Sequence, residues 1–145
     1  MGTLDRERVD AHLRSLEDTV AVLRTVQGWQ ARDLADEATR LWTVAHGMQI
    51  AIQNVVDIAA HLSAALATGE VPESYHDAIL ALGRLGLLDP SFAERIAPMA
   101  GLRNILVHGY LRLDVDRLVT ALRSLDDFGA FASAVEAFLA ANPGL

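Results

Sequence analysis

The sequence predicts an all-α fold, a bundle of about five helices. Apolar residues recur at steps of three and four along most of the chain, and no segment shows the alternating pattern of a half-buried strand. The hydrophobic fraction is 52% and the aromatic fraction only 6%, so the apolar residues are mainly aliphatic, which suits packing between helices. A chain of 145 residues is long enough for one core, so we expect a single domain spanning residues 1–145.

Two apolar stripes predict the first two helices. The first covers residues 4–26 and has a charged face opposite its stripe. The second is long, from about Gln30 to Ala67, and the Gly/Pro break at residues 68–72 ends it. The residues expected to face inward are Val9, Leu13, Leu16, Val20 and Leu23 on the first helix, and Leu41, Val44, Met48, Ile52, Val55, Ala59, Leu62 and Leu66 on the second.

Capping residues predict two further helices. Ser74, followed three residues later by Asp77, resembles a capping box that opens a short helix from Tyr75 to Leu85. Asp114 caps the last helix, which Gly129 is expected to kink. The inward residues of that last helix are expected to be Val115, Leu118, Val119, Leu122, Leu125 and Phe128.

The remaining helix is predicted to start at a pair of strong N-terminal signals. Asp89 offers an N-cap, and Pro90 suits the first helical position because its missing amide is not needed there. We expect this helix to run to about His108, where Gly109 ends it. Pro98 should bend the helix, because proline removes one backbone hydrogen bond.

Composition excludes several classes of protein and site. The chain has no cysteine, which removes disulfides, thiolate nucleophiles and zinc-thiolate sites. Charges interrupt every apolar run well short of the ~18 residues of a membrane span, so we expect no contact with a membrane. The residues after Met1 do not resemble a secretory signal, and the expected location is the cytoplasm.

Charge is distributed unevenly along the chain. The net charge of −7 argues at first against a nucleic-acid partner. Residues 84–123, however, hold six arginines and four acids and form the only positive segment. All twelve cations are arginine, which reflects either phosphate recognition or genome composition.

The positive segment contains the most chemically versatile stretch of the sequence. Arg103 offers five donors in a rigid fork that matches a phosphate, and His108 can give or take a proton near neutral pH. Asn104 lies four residues before His108, so it could position the imidazole or bind a phosphate oxygen. Tyr110 adds a hydroxyl that can be modified. A purely structural interpretation is also open for three of them: His108 caps carbonyls at the helix end, Arg103 forms a surface salt bridge, and Tyr110 anchors in the core.

This pattern fits metal-free cleavage of RNA, in which a ribose 2′-hydroxyl attacks the neighbouring phosphate. His108 fits either proton transfer and Arg103 fits the stabilisation of charge on the phosphorane. One histidine does not conveniently perform both proton transfers, and Arg103 and His108 lie about 140° apart on a regular helix. We therefore expect a two-fold homodimer in which both copies contribute to a common cleft.

A second polar line is predicted on the long helix. His46, Asn54, Asp57 and His61 lie at spacings compatible with one side of that helix, and Asp57 and His61 are four residues apart. They form either a partly solvated face or a set that orients the Arg103–His108 segment. The spacing lacks the paired ligands of a zinc helix, so no metal site is expected.

Several stretches together resemble one known family. Met99–Tyr110 is similar to the signature of the HEPN superfamily, and specifically to HepT-like toxins, in which Arg, four residues, His, one residue and Tyr follow in order. The resemblance extends backward through Asn54–Leu62, Pro72–Tyr75 and Leu85–Leu88, and covers about residues 40–125. It is met at Arg103, His108 and Tyr110 without departure.

The resemblance implies a HEPN-type helical bundle, a homodimer with a composite cleft, and a metal-independent endoribonuclease that acts as a toxin without a cofactor. Arg103 and His108 would be catalytic, and Asn104, Asp57 and His61 are the residues that helical spacing offers in support. Such proteins are paired with an MntA-like nucleotidyltransferase antitoxin, which transfers AMP to the motif tyrosine, here Tyr110. The substrate would be tRNA or mRNA. The alternative is a non-catalytic HEPN subunit that serves as partner and acceptor for a minimal nucleotidyltransferase.

Overall fold

The computed structural model describes residues 3–109 and 113–145, and all regular secondary structure within these ranges is helical. This confirms the all-α prediction. The helices are α1 (Arg6–Thr25), α2 (Ala31–Asp36), α3 (Ala38–Ala65), α4 (Tyr75–Arg84), α5 (Pro90–Ile96), α6 (Met99–His108), α7 (Val115–Arg123) and α8 (Asp126–Ala141). The expectation of about five helices is wrong, because three of the predicted helices are each divided in two.

Helix α3 is the centre of the bundle. It packs against α1, α2, α4, α6, α7 and α8, and at 28 residues it is the longest described helix. Most of the residues predicted to face inward from it are fully buried, whereas Leu41 and Leu66 at its two ends are half-buried. The apolar stripe of α1 is buried as predicted, and α1 and α3 form the largest contact between helices.

The first division separates α2 from α3 at Glu37. This residue has extended backbone angles, φ −134° and ψ 118°, so the helical hydrogen-bond ladder stops there. The break lets α2 turn its own apolar residue, Leu34, into the core, where it is 1% exposed. Arg40 spans the break and pairs with Glu37 at 3.1 Å and Asp33 at 3.7 Å.

Of the other two divisions, one lies at Pro98, where a bend was expected, and one lies before Gly129, where a kink was expected. Pro98 ends one helix and begins another instead of bending a continuous one, because it supplies no amide to the preceding turn. The last predicted helix breaks at Ser124 and Leu125, and Gly129 lies inside α8 without interrupting it. Leu125 is fully buried in the turn between α7 and α8.

The predicted N-caps are confirmed. The side chains of Ser74, Asp89 and Asp114 accept hydrogen bonds from the backbone amides of Asp77, Ser91 and Asp116. After α4, Gly86 adopts φ +79°, a left-handed conformation that glycine adopts without a steric penalty. Among the helices that the structure describes, none combines the length and apolar content that crossing a membrane requires.

Candidate functional site

Helix α6 carries Arg103, Asn104 and His108. Its buried residues, Leu102 and Leu106, fix it against α3, and the amide of Gly109 donates to the carbonyl of Ile105 at 2.8 Å where the helix ends. Arg103 follows a buried residue by one position, so it lies at the edge of the buried face and is half-buried. Local sequence therefore places a cation at the boundary between core and solvent.

Three side chains surround the guanidinium of Arg103. Its Nε donates to Oε1 of Gln53 on α3 at 2.8 Å, and its Nη1 donates to Oδ1 of the neighbouring Asn104 at 3.1 Å. The ring of Tyr75, at the start of α4, lies with its centroid 5.3 Å from the guanidinium carbon. This distance is within the range of a cation–π contact. We call Gln53, Asn104 and Tyr75 the Arg103 clamp.

Asp57 orients the central member of the Arg103 clamp. Nε2 of Gln53 donates to Oδ1 of Asp57 at 2.9 Å, one helical turn further along α3. Because the amide nitrogen is engaged there, the amide oxygen faces Arg103. The carboxylate of Asp57 thus reaches the motif through Gln53, not by direct contact.

The clamp decides which end of the guanidinium meets a ligand. Gln53 occupies the Nε side, which leaves the pair of Nη atoms as the end suited to a bidentate phosphate. The bond from Nη1 to Asn104 is exposed, so a phosphate oxygen can replace Asn104 there at little cost. The arrangement is a pre-oriented arginine at the surface, fitted to bind a phosphate group.

His108 is exposed and is the last residue of α6. Since the helix is regular from Arg103 to His108, the two side chains leave it about 140° apart, with a rise of about 7.5 Å between their Cα atoms. Asn104 shares a helical face with His108, yet its Oδ1 accepts from Arg103. One chain therefore presents the cation and the imidazole in different directions.

The other predicted polar residues of α3 do not face this motif, which corrects the expectation of one polar line. Asn54 is buried and turns toward α1, where Nδ2 donates to Oγ of Ser15 at 2.9 Å and Oδ1 lies 2.9 Å from Nδ1 of His12. Asn54 and Asp57 lie only about 60° apart around the helix, yet Asn54 contacts α1 whereas Asp57 bonds to Gln53. His46 is exposed on the outer side of α3.

His61 also belongs to the contact with α1. Its Nε2 accepts a hydrogen bond from the backbone amide of Asp5 at 2.9 Å. Burial, reinforced by the nearby positive charge of Arg8, lowers the pKa of His61 below its ordinary value of 6.5. A neutral imidazole is the form that can accept this bond, so His61 caps the start of α1.

Two further sequence expectations concern Tyr110 and the absence of a metal site. Tyr110 lies outside the described residues. Within the described part of the chain, no three His, Cys, Asp or Glu side chains come close enough together to hold a metal ion.

Sequence reasoning missed Gln53 and gave Tyr75 no role. The signal for Gln53 is its position four residues before Asp57, a spacing at which Gln and Asp side chains can bond on one helix. The partner of Tyr75 is 28 residues away in sequence, so only the packing of α4 against α6 reveals the contact.

Comparison with protein families gives one matching family model, described as Ribonuclease HepT-like, over residues 9–135. A tRNA nuclease HepT from Aphanizomenon flos-aquae is 30% identical over 93 residues, which cover 63% of each chain. An mRNA nuclease HepT from Shewanella oneidensis is 31% identical over 91 residues, 62% of this chain and 68% of that one. The match thus spans 63% of the length of the first of these relatives.

Solved structures share the fold over most of the chain. The tri-AMPylated HEPN toxin of Shewanella oneidensis, in complex with an MNT antitoxin, has a TM-score of 0.78 at 24% identity and covers 90% of this chain and 97% of its own. A cytosolic protein of unknown function, YutE from Bacillus subtilis, has a TM-score of 0.82 at 18% identity and covers 100% and 97%. At these identities the likeness establishes the arrangement of helices.

Proposed function

Because this chain belongs to the ribonuclease HepT-like family, we propose that it is an endoribonuclease that cleaves RNA without a metal ion and acts as the toxin of a toxin–antitoxin pair. The named relatives support RNA as the substrate, since one is a tRNA nuclease and the other an mRNA nuclease. The observation that carries the proposal is the Arg103 clamp, which holds a guanidinium in place on the helix that ends at the exposed His108.

The proposed reaction breaks one bond between phosphorus and a ribose 5′-oxygen. A base removes the proton of the 2′-hydroxyl, the 2′-oxygen bonds to phosphorus, and an acid protonates the departing 5′-oxygen. The products are a 2′,3′-cyclic phosphate and a 5′-hydroxyl, and no co-reactant is consumed. Arg103 neutralises the charge that builds on the phosphorane oxygens, a contribution of about 10²–10³-fold in rate. His108 performs proton transfer, worth about 10²–10⁴-fold.

A homodimer supplies the second proton carrier. Base and acid act on opposite sides of the phosphorus, and each chain offers one His108 at the end of α6. The angular separation of Arg103 and His108 supports the same arrangement, because the arginine of one copy and the histidine of the other can meet one phosphate in a shared cleft. Residues 1–145 act as one HEPN domain in this proposal.

An MntA-like nucleotidyltransferase antitoxin would neutralise the enzyme by transferring AMP to Tyr110. This residue follows His108 by two positions in the sequence. An attached AMP brings a negatively charged phosphodiester and a bulky base into the cleft that RNA must enter. The tri-AMPylated toxin of Shewanella oneidensis, a protein of the same fold, supports this proposal.

The proposal is tested by cleavage of defined tRNA and mRNA in the presence of excess EDTA. Arg103→Ala and His108→Ala should each lower the rate at least a hundredfold while the helical circular dichroism is unchanged. Matched controls are Arg84→Ala and His76→Ala, which remove an exposed arginine and an exposed histidine from α4 and should cleave like the wild type.

Other outcomes would overturn the proposal. Full loss of cleavage in EDTA contradicts the metal-free reaction. If the unmodified protein leaves RNA intact but binds the nucleotidyltransferase and accepts AMP, the chain is a non-catalytic acceptor subunit. Absence of an added AMP from the intact mass after incubation with the antitoxin and ATP, or its persistence in Tyr110→Phe, contradicts the proposed modification.

A further inference from the structure

The exposed side of α6 carries the histidine that the proposed reaction uses. Gly101, Asn104 and His108 are all exposed and fall within about 60° of the helix circumference. We call these three residues the α6 outer face. The Arg103 clamp borders this face on the side of α4, where Nη1 of Arg103 donates to Oδ1 of Asn104 at 3.1 Å. An RNA strand that reaches His108 therefore lies along this face.

A second arginine borders the α6 outer face on the side of α7. A Cβ built on Gly101 would lie 3.8 Å from Nη2 of Arg117, an exposed residue of α7. Gly101 and Asn104 are three residues apart, so their Cβ positions lie about 5–6 Å from each other. Among the described residues, no acid forms an ion pair with Arg117. Two guanidinium groups thus reach the same face, and Arg117 is available for a second phosphate of the strand.

Arg117 also lines a pocket that lies between α3, α5, α6, α7 and α8. Its volume is about 240 Å³. One water molecule takes up about 30 Å³ in the liquid, so the pocket has room for one planar ring system and not for a peptide helix. An unstacked nucleobase could remove its two apolar faces from water here. The apolar walls of the pocket include Ile52, Ile96, Met99, Leu102 and Phe128.

The polar groups of the pocket present hydrogen-bond acceptors. The hydroxyl of Thr120 donates to the carbonyl of Asp116 at 3.0 Å and that of Ser124 to the carbonyl of Thr120 at 3.2 Å, so each hydroxyl oxygen keeps only its lone pairs. The carboxylate of Asp127 accepts from Arg95 at 2.9 Å through Oδ1, which leaves Oδ2 as a further acceptor. Acceptors favour a base with an exocyclic amino group, such as cytosine, over uracil, which has a carbonyl in that place.

We infer that Arg117 and this pocket hold one nucleotide of the RNA strand beside the cleaved bond, with Arg117 on its phosphate and the pocket around its base. Arg95, the other cation of the pocket, is already paired with Asp127 and lies over the ring of Phe92, with its guanidinium carbon 5.0 Å from the centroid. This pair balances the charge of the Asp127 carboxylate where the strand would lie. The inference rests on the proposed function for RNA as the ligand and adds a contact that selects the sequence to be cut.

The test is the binding of short fluorescent oligo(C) and oligo(U) RNA to the full chain carrying His108→Ala, so that the RNA stays intact, over a range of salt concentrations. This parent protein should bind oligo(C) about fivefold or more tightly than oligo(U). Arg117→Ala should weaken both RNAs alike and make the slope of log K against log salt shallower by about 0.7, the value for one phosphate contact to a single strand. Arg14→Ala is the matched control, because it removes an exposed arginine from α1 and should leave affinity and slope unchanged.

The contribution of the pocket is tested by filling it. Ala121→Leu occupies part of the pocket from α7 and should abolish the preference for oligo(C), while the salt slope stays that of the parent. Ala130→Leu adds the same side chain at an exposed position of α8 and should keep the preference. Thr120→Val removes one acceptor without a change in size and should reduce the preference about twofold or more, which tests the pocket even if Ala121→Leu does not fold. Circular dichroism and melting temperature verify that each variant folds.

The outcomes separate this inference from the proposed function. Equal affinity for the two RNAs, or no binding of either, overturns the inference, and so does a preference that the folded pocket variants leave unchanged. An Arg117→Ala protein with the affinity and salt slope of the parent overturns it as well. If the wild type cleaves RNA in EDTA alongside any of these results, the proposed function stands without the inference. If the expected affinities are found and the wild type never cleaves RNA, the proposed function is wrong and the nucleotide contact stands.

Discussion

Replacing Gln53 by Leu tests whether the Arg103 clamp matters for the reaction. Leucine has nearly the same size but removes the acceptor that holds Nε of Arg103 at 2.8 Å and the donor to Asp57. A hydrogen bond to a charged group contributes about 1.5–3 kcal/mol. Gln53 is half-buried, so water replaces part of the lost interaction and the lower part of this range applies. Since about 1.4 kcal/mol is tenfold in rate, we expect kcat to fall about tenfold.

The comparison with Gln53→Glu separates orientation from charge. Glutamate keeps an acceptor for Nε of Arg103, but its negative charge competes with the RNA phosphate for the guanidinium. We therefore expect Gln53→Leu to act mainly on kcat and Gln53→Glu to act mainly on KM. A role in folding alone would give neither pattern.

The assay is steady-state cleavage of a short fluorescent RNA, with thermal unfolding recorded in parallel. Gln49→Leu is the matched control, because Gln49 is half-buried on α3 one turn before Gln53, and its kcat and KM should equal those of the wild type. A Gln53→Leu enzyme within twofold of the wild-type kcat would refute the reasoning that the clamp orients Arg103 for catalysis.

Three further predictions concern the clamp, pH and packing. Tyr75→Phe should retain the cation–π contact and full activity, whereas Tyr75→Leu should lower kcat severalfold; equal rates for both would contradict a role for the ring. The pKa of His61 is lowered by folding, so the unfolded chain takes up the proton first as pH falls, and the free energy of unfolding should drop below about pH 6.5 in chemical denaturation. His61→Gln should reduce that drop, and an unchanged pH profile would speak against it. Gly129→Ala should add up to about 1 kcal/mol to the free energy of unfolding, because the new Cβ meets open space inside α8. Gly83→Ala should destabilise the protein, because its Cβ would lie 3.0 Å from that of Ala93. A higher melting temperature for Gly83→Ala than for Gly129→Ala would contradict this packing.

Local signals predicted most of the helices. The apolar stripe of α1 and the N-caps at Ser74, Asp89 and Asp114 depend on residues within a few positions of one another, and the structure confirms them. The divisions at Glu37 and Ser124 could not be predicted from such signals, because each one is set by burial in the whole bundle. The break at Glu37 lets Leu34 pack into the core, and Leu125 is buried at the other break.

The candidate site was predictable in its residue types and not in its contacts. Gly109 predicted the end of the helix that carries Arg103 and His108, and the structure places that end at His108. Helical spacing alone could not distinguish which polar residues of α3 turn toward α6, since Gln53 and Asn54 are adjacent in sequence and contact different helices. The pairing of Asn54 with α1 satisfies a buried amide, and this requirement outweighs the pattern of the polar line.

We propose that this chain cleaves RNA through the ribose 2′-hydroxyl, with Arg103 and His108 and without a metal ion. The most direct measurement uses a cleavable RNA in which one 2′-deoxynucleotide stands at the cleavage position, incubated in EDTA, with the ends of the products identified by mass spectrometry. The all-ribose RNA should give a 2′,3′-cyclic phosphate and a 5′-hydroxyl, and the substituted RNA should stay intact at that position. Cleavage at the 2′-deoxy position, or products ending in a 5′-phosphate, would contradict this mechanism.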